Sequence, residues 1–194
     1  PPMISVSTVV GSHPTADRRR CRPAICSRVG PTTVLTLIIG GARSGKSSYA
    51  LHLAAERGGD QVAFIAPCVA TDSEMVERVR RHQANRPPEW RTVEEPTDLR
   101  RALTEAARAG SHAMIIDCLT LWLFNIVQQR WSDDDILQAA DAGARTARDL
   151  TAQVIAVTNE VGWGIVPATA SGRRFRDLQG RVNQCWASRS EEVT

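Results

Sequence analysis

The chain has 194 residues, 42% hydrophobic and 23% charged, which reads as one soluble domain with a full core. No apolar run approaches the roughly 18 residues of a membrane span, no secretory leader is evident, and the cytoplasm is the expected compartment. The formal net charge is +3, but residues 1–33 hold five arginines against Asp17 alone, so the remainder is slightly acidic, which argues against a nucleic-acid binder.

Residues 1–33 are rich in Pro, Ser, Thr, Gly and Arg without periodicity, and the expectation is a disordered extension. From Val34 strand and helix patterns alternate. "VLTLII" reads as a buried strand, followed by a helix with Tyr49, Ala50, Leu53 and Ala54 at helical spacing. "QVAFIA" (61–66) is a second strand. A helix over 72–84 is opened by the capping-box pair Thr71 and Glu74. "WRTVEE" is a short strand, and a helix starts near Thr97 or Asp98. "AMIID" (113–117) is a strand, and helices follow near 119–130 and 132–150. "QVIAVT" (153–158) is a strand. The last helix spans roughly 169–187, with Phe175, Leu178 and Val182 on one face. This alternation predicts an α/β domain over 34–194, a mostly parallel sheet with helices on both faces. The five cysteines, Cys21, Cys26, Cys68, Cys118 and Cys185, are odd in number and match no zinc spacing, so they read as reduced thiols.

"GGARSGKS", Gly40 to Ser47, fits G-x-x-x-x-G-K-[ST] between a strand and a helix. Bare glycines let backbone N–H groups wrap a phosphate, and the following helix offers its unpaired N–H groups and positive dipole end. Lys46, the only lysine of the chain, would reach the outer phosphates, and the Ser47 hydroxyl would meet Mg²⁺. Asp117, closing the apolar run "MIID", is the candidate partner carboxylate, holding Mg²⁺ through water. Its alternative role is to cap the next helix. A switch GTPase reads guanine with N-K-x-D, which needs a second lysine, so that class is excluded.

His82 lies three residues after Val79 and seven after Met75, on the apolar face of its helix. It reads either as a half-buried structural histidine or as a nucleophile. Arg78, Arg80, Arg81 and Arg86 crowd it, and positive neighbours disfavour imidazolium while attracting phosphate. Pro87 and Pro88 stiffen the following loop. Asn159 and Glu160 leave a strand at the sheet's carboxyl edge, where α/β ligands collect, and read either as ligand contacts or as turn chemistry. Arg173, Arg174 and Arg176 are either a solvated helix face or contacts to phosphates of a neighbouring subunit.

Together, "GGARSGKS", "EMVERVRRHQANRPPEWRTVEEP", "IIDCLTLWLFN", "VTNEVGWGIVP" and "FRDLQGRVNQ" resemble the bifunctional adenosylcobinamide kinase and adenosylcobinamide-phosphate guanylyltransferase family of cobalamin synthesis. The likeness covers roughly 35–187, with the motifs in family order. It implies a P-loop NTPase fold of the recombinase-like group and two activities. One is phosphorylation of the cobinamide aminopropanol hydroxyl by a nucleoside triphosphate, ATP or GTP. The other is transfer of GMP from GTP through a guanylylated histidine. His82 takes that role, within R-[IV]-x-x-H as Arg78-Val79-Arg80-Arg81-His82. Lys46 is the second catalytic candidate. The resemblance assigns nucleotide contacts to Gly40, Gly41, Ala42, Arg43, Ser44, Gly45, Lys46, Ser47, Pro67, Cys68, Val69, Asn85, Arg86, Pro87, Pro88, Glu94 and Asp117. It also implies Mg²⁺, a corrinoid substrate and a homotrimer. Residues 1–33 have no family counterpart, and "SRSEEVT" resembles the approach to a final apolar strand, so the domain reads as shortened before that strand. A P-loop kinase for another small molecule and a degenerate nucleotide-binding protein are the alternatives.

Overall fold

A computed structural model describes residues 34–68 and 86–194 of the chain. The extension over 1–33 and the helix expected over 72–84, with Thr71, Glu74 and His82, lie outside the described residues, as do Val69 and Asn85.

The described elements are β1 (Leu35–Gly40), α1 (Lys46–Gly58), β2 (Val62–Ala66), β3 (Arg91–Glu94), α2 (Leu99–Arg108), β4 (Ala113–Asp117), α3 (Leu119–Gln128), α4 (Asp133–Asp149), β5 (Gln153–Asn159), α5 (Ala170–Ala187) and β6 (Glu192–Val193). The strands form one parallel sheet in the order β3-β2-β4-β5-β1-β6. Parallel neighbours need crossover connections, and helices supply them.

Successive strand residues point to opposite faces, and both faces are buried here. Leu35, Leu37, Ala63, Ile65, Met114, Ile116, Val154 and Ala156 pack beneath α2, α3, α4 and α5. Ile38, Val62, Phe64, Ile115, Ile155 and Val157 pack against Ala50, Leu53 and Ala54 of α1 on the other side. The first layer holds the largest side chains, including fully buried Trp122 and Trp186. The Trp122 indole N–H donates to the Thr97 carbonyl at 2.7 Å, so the ring is buried without an orphaned donor.

Helix starts follow local chemistry. Asp98 caps α2 by accepting from the Arg101 N–H at 2.9 Å, and Ser132 caps α4 by accepting from the Asp135 N–H at 3.2 Å. Asp133, Asp134 and Asp135 fill the first turn of α4, where negative charge meets the dipole's positive end. Thr169 caps α5 through the Gly172 N–H at 3.1 Å. The start of α1 differs: its cap is Gly45, which makes no side-chain capping bond.

The segment read as the approach to a further strand already pairs. Glu192 and Val193 lie parallel to Thr36 and Leu37, and Ile39 donates to the Thr194 carbonyl at 2.7 Å. β1 is therefore flanked on both sides and is not left as a bare edge. Arg57 at the end of α1 holds the join, donating to the Thr36 hydroxyl at 2.9 Å and to Glu192 at 2.7 Å. That guanidinium, with the Thr36 hydroxyl, keeps the Glu192 carboxyl below its ordinary range.

Candidate active site

The turn from β1 into α1 takes left-handed backbone at two positions, one a glycine that adopts it freely and one an arginine that does not. Gly45 has φ 88° and Arg43 φ 57°, both left-handed. A Cβ on Gly40 would stand 3.1 Å from Ser44 Oγ and 3.6 Å from Lys46 Cδ. The bare Cα thus lets the Ser44 and Lys46 side chains close over the strand end. Lys46 Nζ donates to the Gly41 carbonyl at 2.5 Å and to Ser44 Oγ at 3.3 Å, so the one ammonium is held inside the loop. Gly41, Ala42, Arg43, Ser44 and Gly45 are exposed, while Lys46 and Ser47 are half-buried at the first turn of α1. Uncapped N–H groups, a positive dipole end and a lysine converge here, an arrangement suited to a polyphosphate.

The neighbouring strands bring their carboxyl ends alongside. β5 runs beside β1 with Asn159 opposite Gly40, and β4 beside β5 with Asp117 opposite Val157. The Asp117–Cys118 peptide is cis. The Asn159 N–H donates to the Thr120 hydroxyl at 3.0 Å, and the Glu160 N–H to the Gly40 carbonyl at 3.1 Å. A cavity of 410 Å³ opens at this point, lined by Ile39, Gly40, Gly41, Glu160 and Trp163. Strand, glycine loop, helix and a carboxylate on a nearby parallel strand end together form the P-loop arrangement.

A second group of residues lies toward the β3 edge. The Arg86 guanidinium stacks 3.3 Å from the Phe64 ring centre. Burial lowers its pKa from the ordinary value, partly offset by the Asp117 charge. Pro87 and Pro88 form an exposed turn, closed by the Trp90 N–H donating to the Pro87 carbonyl at 3.2 Å. Glu94 is exposed at the end of β3, with β2, β4 and β5 between it and β1. Four inter-strand steps make this about 19 Å from the glycine loop. The fold brings Asn159 and Glu160 beside the loop, sets Asp117 two strands away where its charge reaches Arg86 over β2, and leaves Glu94 on the far edge strand. Pro67 and Cys68 follow β2, with Asn125 Nδ2 donating to the Pro67 carbonyl at 2.6 Å and to the Pro96 carbonyl at 3.0 Å.

The cobinamide kinase / cobinamide phosphate guanyltransferase family matches residues 36–194, which include every site residue described above. The chain belongs to this family. It is 45% identical over 163 residues to the bifunctional adenosylcobalamin biosynthesis protein CobP of Pseudomonas aeruginosa, covering 81% of this chain and 90% of that one. It is 37% identical over 172 residues to the bifunctional adenosylcobalamin biosynthesis protein CobU of Salmonella typhimurium, covering 82% and 93%. Among solved structures, it is similar to the ATPase domain of G40P, with a TM-score of 0.49 at 14% identity, over 84% of this chain and 69% of that one.

In this cobinamide kinase / guanyltransferase chain, the three arginines of the first turns of α5 are engaged locally. Arg173 donates to the Pro167 and Ala168 carbonyls at 2.9 and 2.8 Å, and Arg174 to Asp133 and the Trp131 carbonyl, both at 2.8 Å. Arg176 pairs with Asp177 at 3.2 Å. A buried polar cluster escaped the sequence reading. Thr158 donates to Asn183 Oδ1 at 2.7 Å, Gln179 Nε2 to both at 3.0 and 2.9 Å, and Asn183 Nδ2 to the Asn159 carbonyl at 3.1 Å. It anchors the β5 end that leads into Glu160. Its signal is Gln179 and Asn183, one turn apart beside the apolar stripe Leu178 and Val182; Asn125 gives a similar signal inside "LWLFN".

Proposed function

We propose that the chain phosphorylates the hydroxyl of adenosylcobinamide from a nucleoside triphosphate seated on Gly40–Ser47, and then passes GMP from GTP onto the new phosphate. The observation that carries this reading is the glycine loop at the β1 end, with Asp117 and Glu160 on nearby strand ends, in a chain of the cobinamide kinase / cobinamide phosphate guanyltransferase family. The loop N–H groups and Lys46 would hold the phosphates and offset charge on the leaving group. Ser47 and Asp117 offer hard oxygen donors of the kind Mg²⁺ prefers. Asp117 lies two strand steps from Gly40, about 10 Å by strand spacing, a separation suited to contact with an ion through water and not directly. Such an ion supplies charge neutralisation at the transferring phosphate.

The second activity is assigned to His82. Its imidazole nitrogen would attack the α-phosphorus of GTP, forming a P–N bond as the α–β bridging bond breaks and pyrophosphate leaves. A phosphate oxygen of adenosylcobinamide phosphate then displaces the histidine. Dividing the transfer in this way gives the first displacement to an uncharged nucleophile, the imidazole nitrogen. The proposed assembly is a homotrimer, by family resemblance, and the proposed compartment is the cytoplasm, from cysteines read as reduced thiols.

The test is incubation of the chain with adenosylcobinamide and ATP, then GTP, with products followed by mass spectrometry. The phosphate should appear first and the GDP derivative after GTP is added. ATP consumption without either corrinoid product would overturn the reading.

A further inference from the structure

Phosphoryl transfer to a hydroxyl releases a proton, and a group that takes it has to reach the acceptor oxygen in line with the phosphates the loop holds. The route of the chain out of β5 puts one carboxylate beside that loop. Asn159 lies opposite Gly40 in the sheet, and the next residue, Glu160, is tied back by its N–H to the Gly40 carbonyl at 3.1 Å. The Glu160 side chain is half-buried, and its Oε1 accepts from the Gly162 N–H. A Cβ on Gly162 would come within 2.8 Å of that oxygen. The bare Cα therefore allows the carboxylate to lie where it does. From there it lines the cavity at Ile39, Gly40 and Gly41, and also an adjoining cavity of 340 Å³ against α5. It stands in the wall common to both.

Other carboxylates at the strand ends are already committed or distant. Among the described residues these are Glu94, Glu95 and Asp117. Glu95 is buried and accepts from the Thr97 and Asp98 N–H groups and from Arg101. Glu94 sits on the edge strand β3, about 19 Å from the loop by strand spacing. Asp117 is the metal ligand of the functional reading. Among the described residues, Glu160 is left as the carboxylate that lines the loop cavity.

We propose that Glu160 is the catalytic base of the kinase half-reaction, an assignment that rests on the functional reading above. As the acceptor oxygen attacks the γ-phosphorus, its O–H bond breaks and the proton passes to the Glu160 carboxylate. The new O–P bond forms while the bond from the γ-phosphorus to the β–γ bridging oxygen breaks, and the nucleoside diphosphate leaves with that electron pair. Glu160 then releases the proton to water. The guanylyl transfer differs, because its acceptor is an ionised phosphate oxygen with no proton to remove. Loss of this base should therefore separate the two activities.

The experiment compares full-length wild type, Glu160→Gln and Gly162→Ala in two assays, ATP with adenosylcobinamide, and GTP with adenosylcobinamide phosphate. The amide in Glu160→Gln still accepts from the Gly162 N–H but takes no proton. Kinase kcat should fall by about 10²–10⁴, with KM for ATP and the rate of GMP transfer within about threefold of wild type. Gly162→Ala, which displaces the carboxylate, should lower kinase kcat in the same selective way. Kinase kcat of Glu160→Gln within about threefold of an active wild type would overturn the proposal alone. Equal losses in both assays would do so too, by showing a role in ordering the loop. A wild type without kinase turnover would overturn both the proposal and the functional reading.

Discussion

Lys46 and His82 are the residues on which the two proposed activities turn, and they predict different failures. Lys46 is the only lysine in the chain and is held within the loop by Gly41 and Ser44. Lys46→Ala should lower both phosphorylation and guanylyl transfer by about 10²–10³ or more, because each step discharges a phosphate-bearing leaving group. Steady-state rates for the two half-reactions check this, and near-normal kinase turnover would refute the loop assignment. His82→Asn should instead abolish GMP transfer and spare the kinase step. Incubation with α-labelled GTP, then denaturation, should leave label on wild type but not on the variant. The bond should survive alkali and be lost in acid, as a phosphoramidate is. Equal labelling would return His82 to the reading of a packed helix-face histidine. Lys46, Ser47 and Asp117 could be read from sequence because the chemistry of a phosphate loop is local, written in consecutive residues at a strand end. The Thr158–Gln179–Asn183 cluster could not, since its partners lie 21 and 25 residues apart and only helix packing joins them.

At the scale of elements, the strand and helix patterns marked nearly every described segment, because buried parallel strands and amphipathic helices carry strong periodic signals. Strand order was not legible: alternation implies a parallel sheet, yet nothing in "VLTLII" says that its neighbours are β5 and β6. Nor did "WRTVEEP" show which of its two adjacent glutamates is buried. Glu94 is exposed, whereas Glu95 turns inward and organises the connection from β3 to α2. Its Oε1 accepts from the Thr97 N–H at 3.0 Å and the Asp98 N–H at 2.9 Å. Burial alone would raise its pKa, but the Asp98 and Thr97 N–H groups and Arg101 outweigh it, and the net direction is downward. A carboxyl depressed in the fold adds stability above its unfolded pKa, and that contribution is lost as pH falls through the folded value. Glu95→Gln should therefore cost about 1–3 kcal/mol at neutral pH. Its difference from wild type should shrink below about pH 4. Urea unfolding at pH 7 and in acid checks the sign. A difference that does not vary with pH would show that Glu95 acts by shape and not by charge.

For the whole molecule, the sharpest question is whether residues 1–33 belong to the folding unit. The described domain has its own closed pairing where β1 begins. The Val154 N–H donates to the Val34 carbonyl at 3.1 Å, and the Glu191 N–H to the Leu35 carbonyl at 3.0 Å. Among the described residues both core layers begin at Leu35, and the family match begins at residue 36. The first 33 residues have no periodic apolar face to bury, and they carry the excess of arginine that makes the whole chain basic. Deleting them should leave Tm within about 2 °C of the full chain and nucleotide affinity within about threefold. The same deletion should turn the net charge from positive to slightly negative, so binding to a cation exchanger at neutral pH should weaken. Calorimetry and nucleotide titration on both chains make the comparison. A large fall in Tm with weakened nucleotide binding would place part of this segment inside the fold, and the arginines would then have to be sought near the phosphate loop.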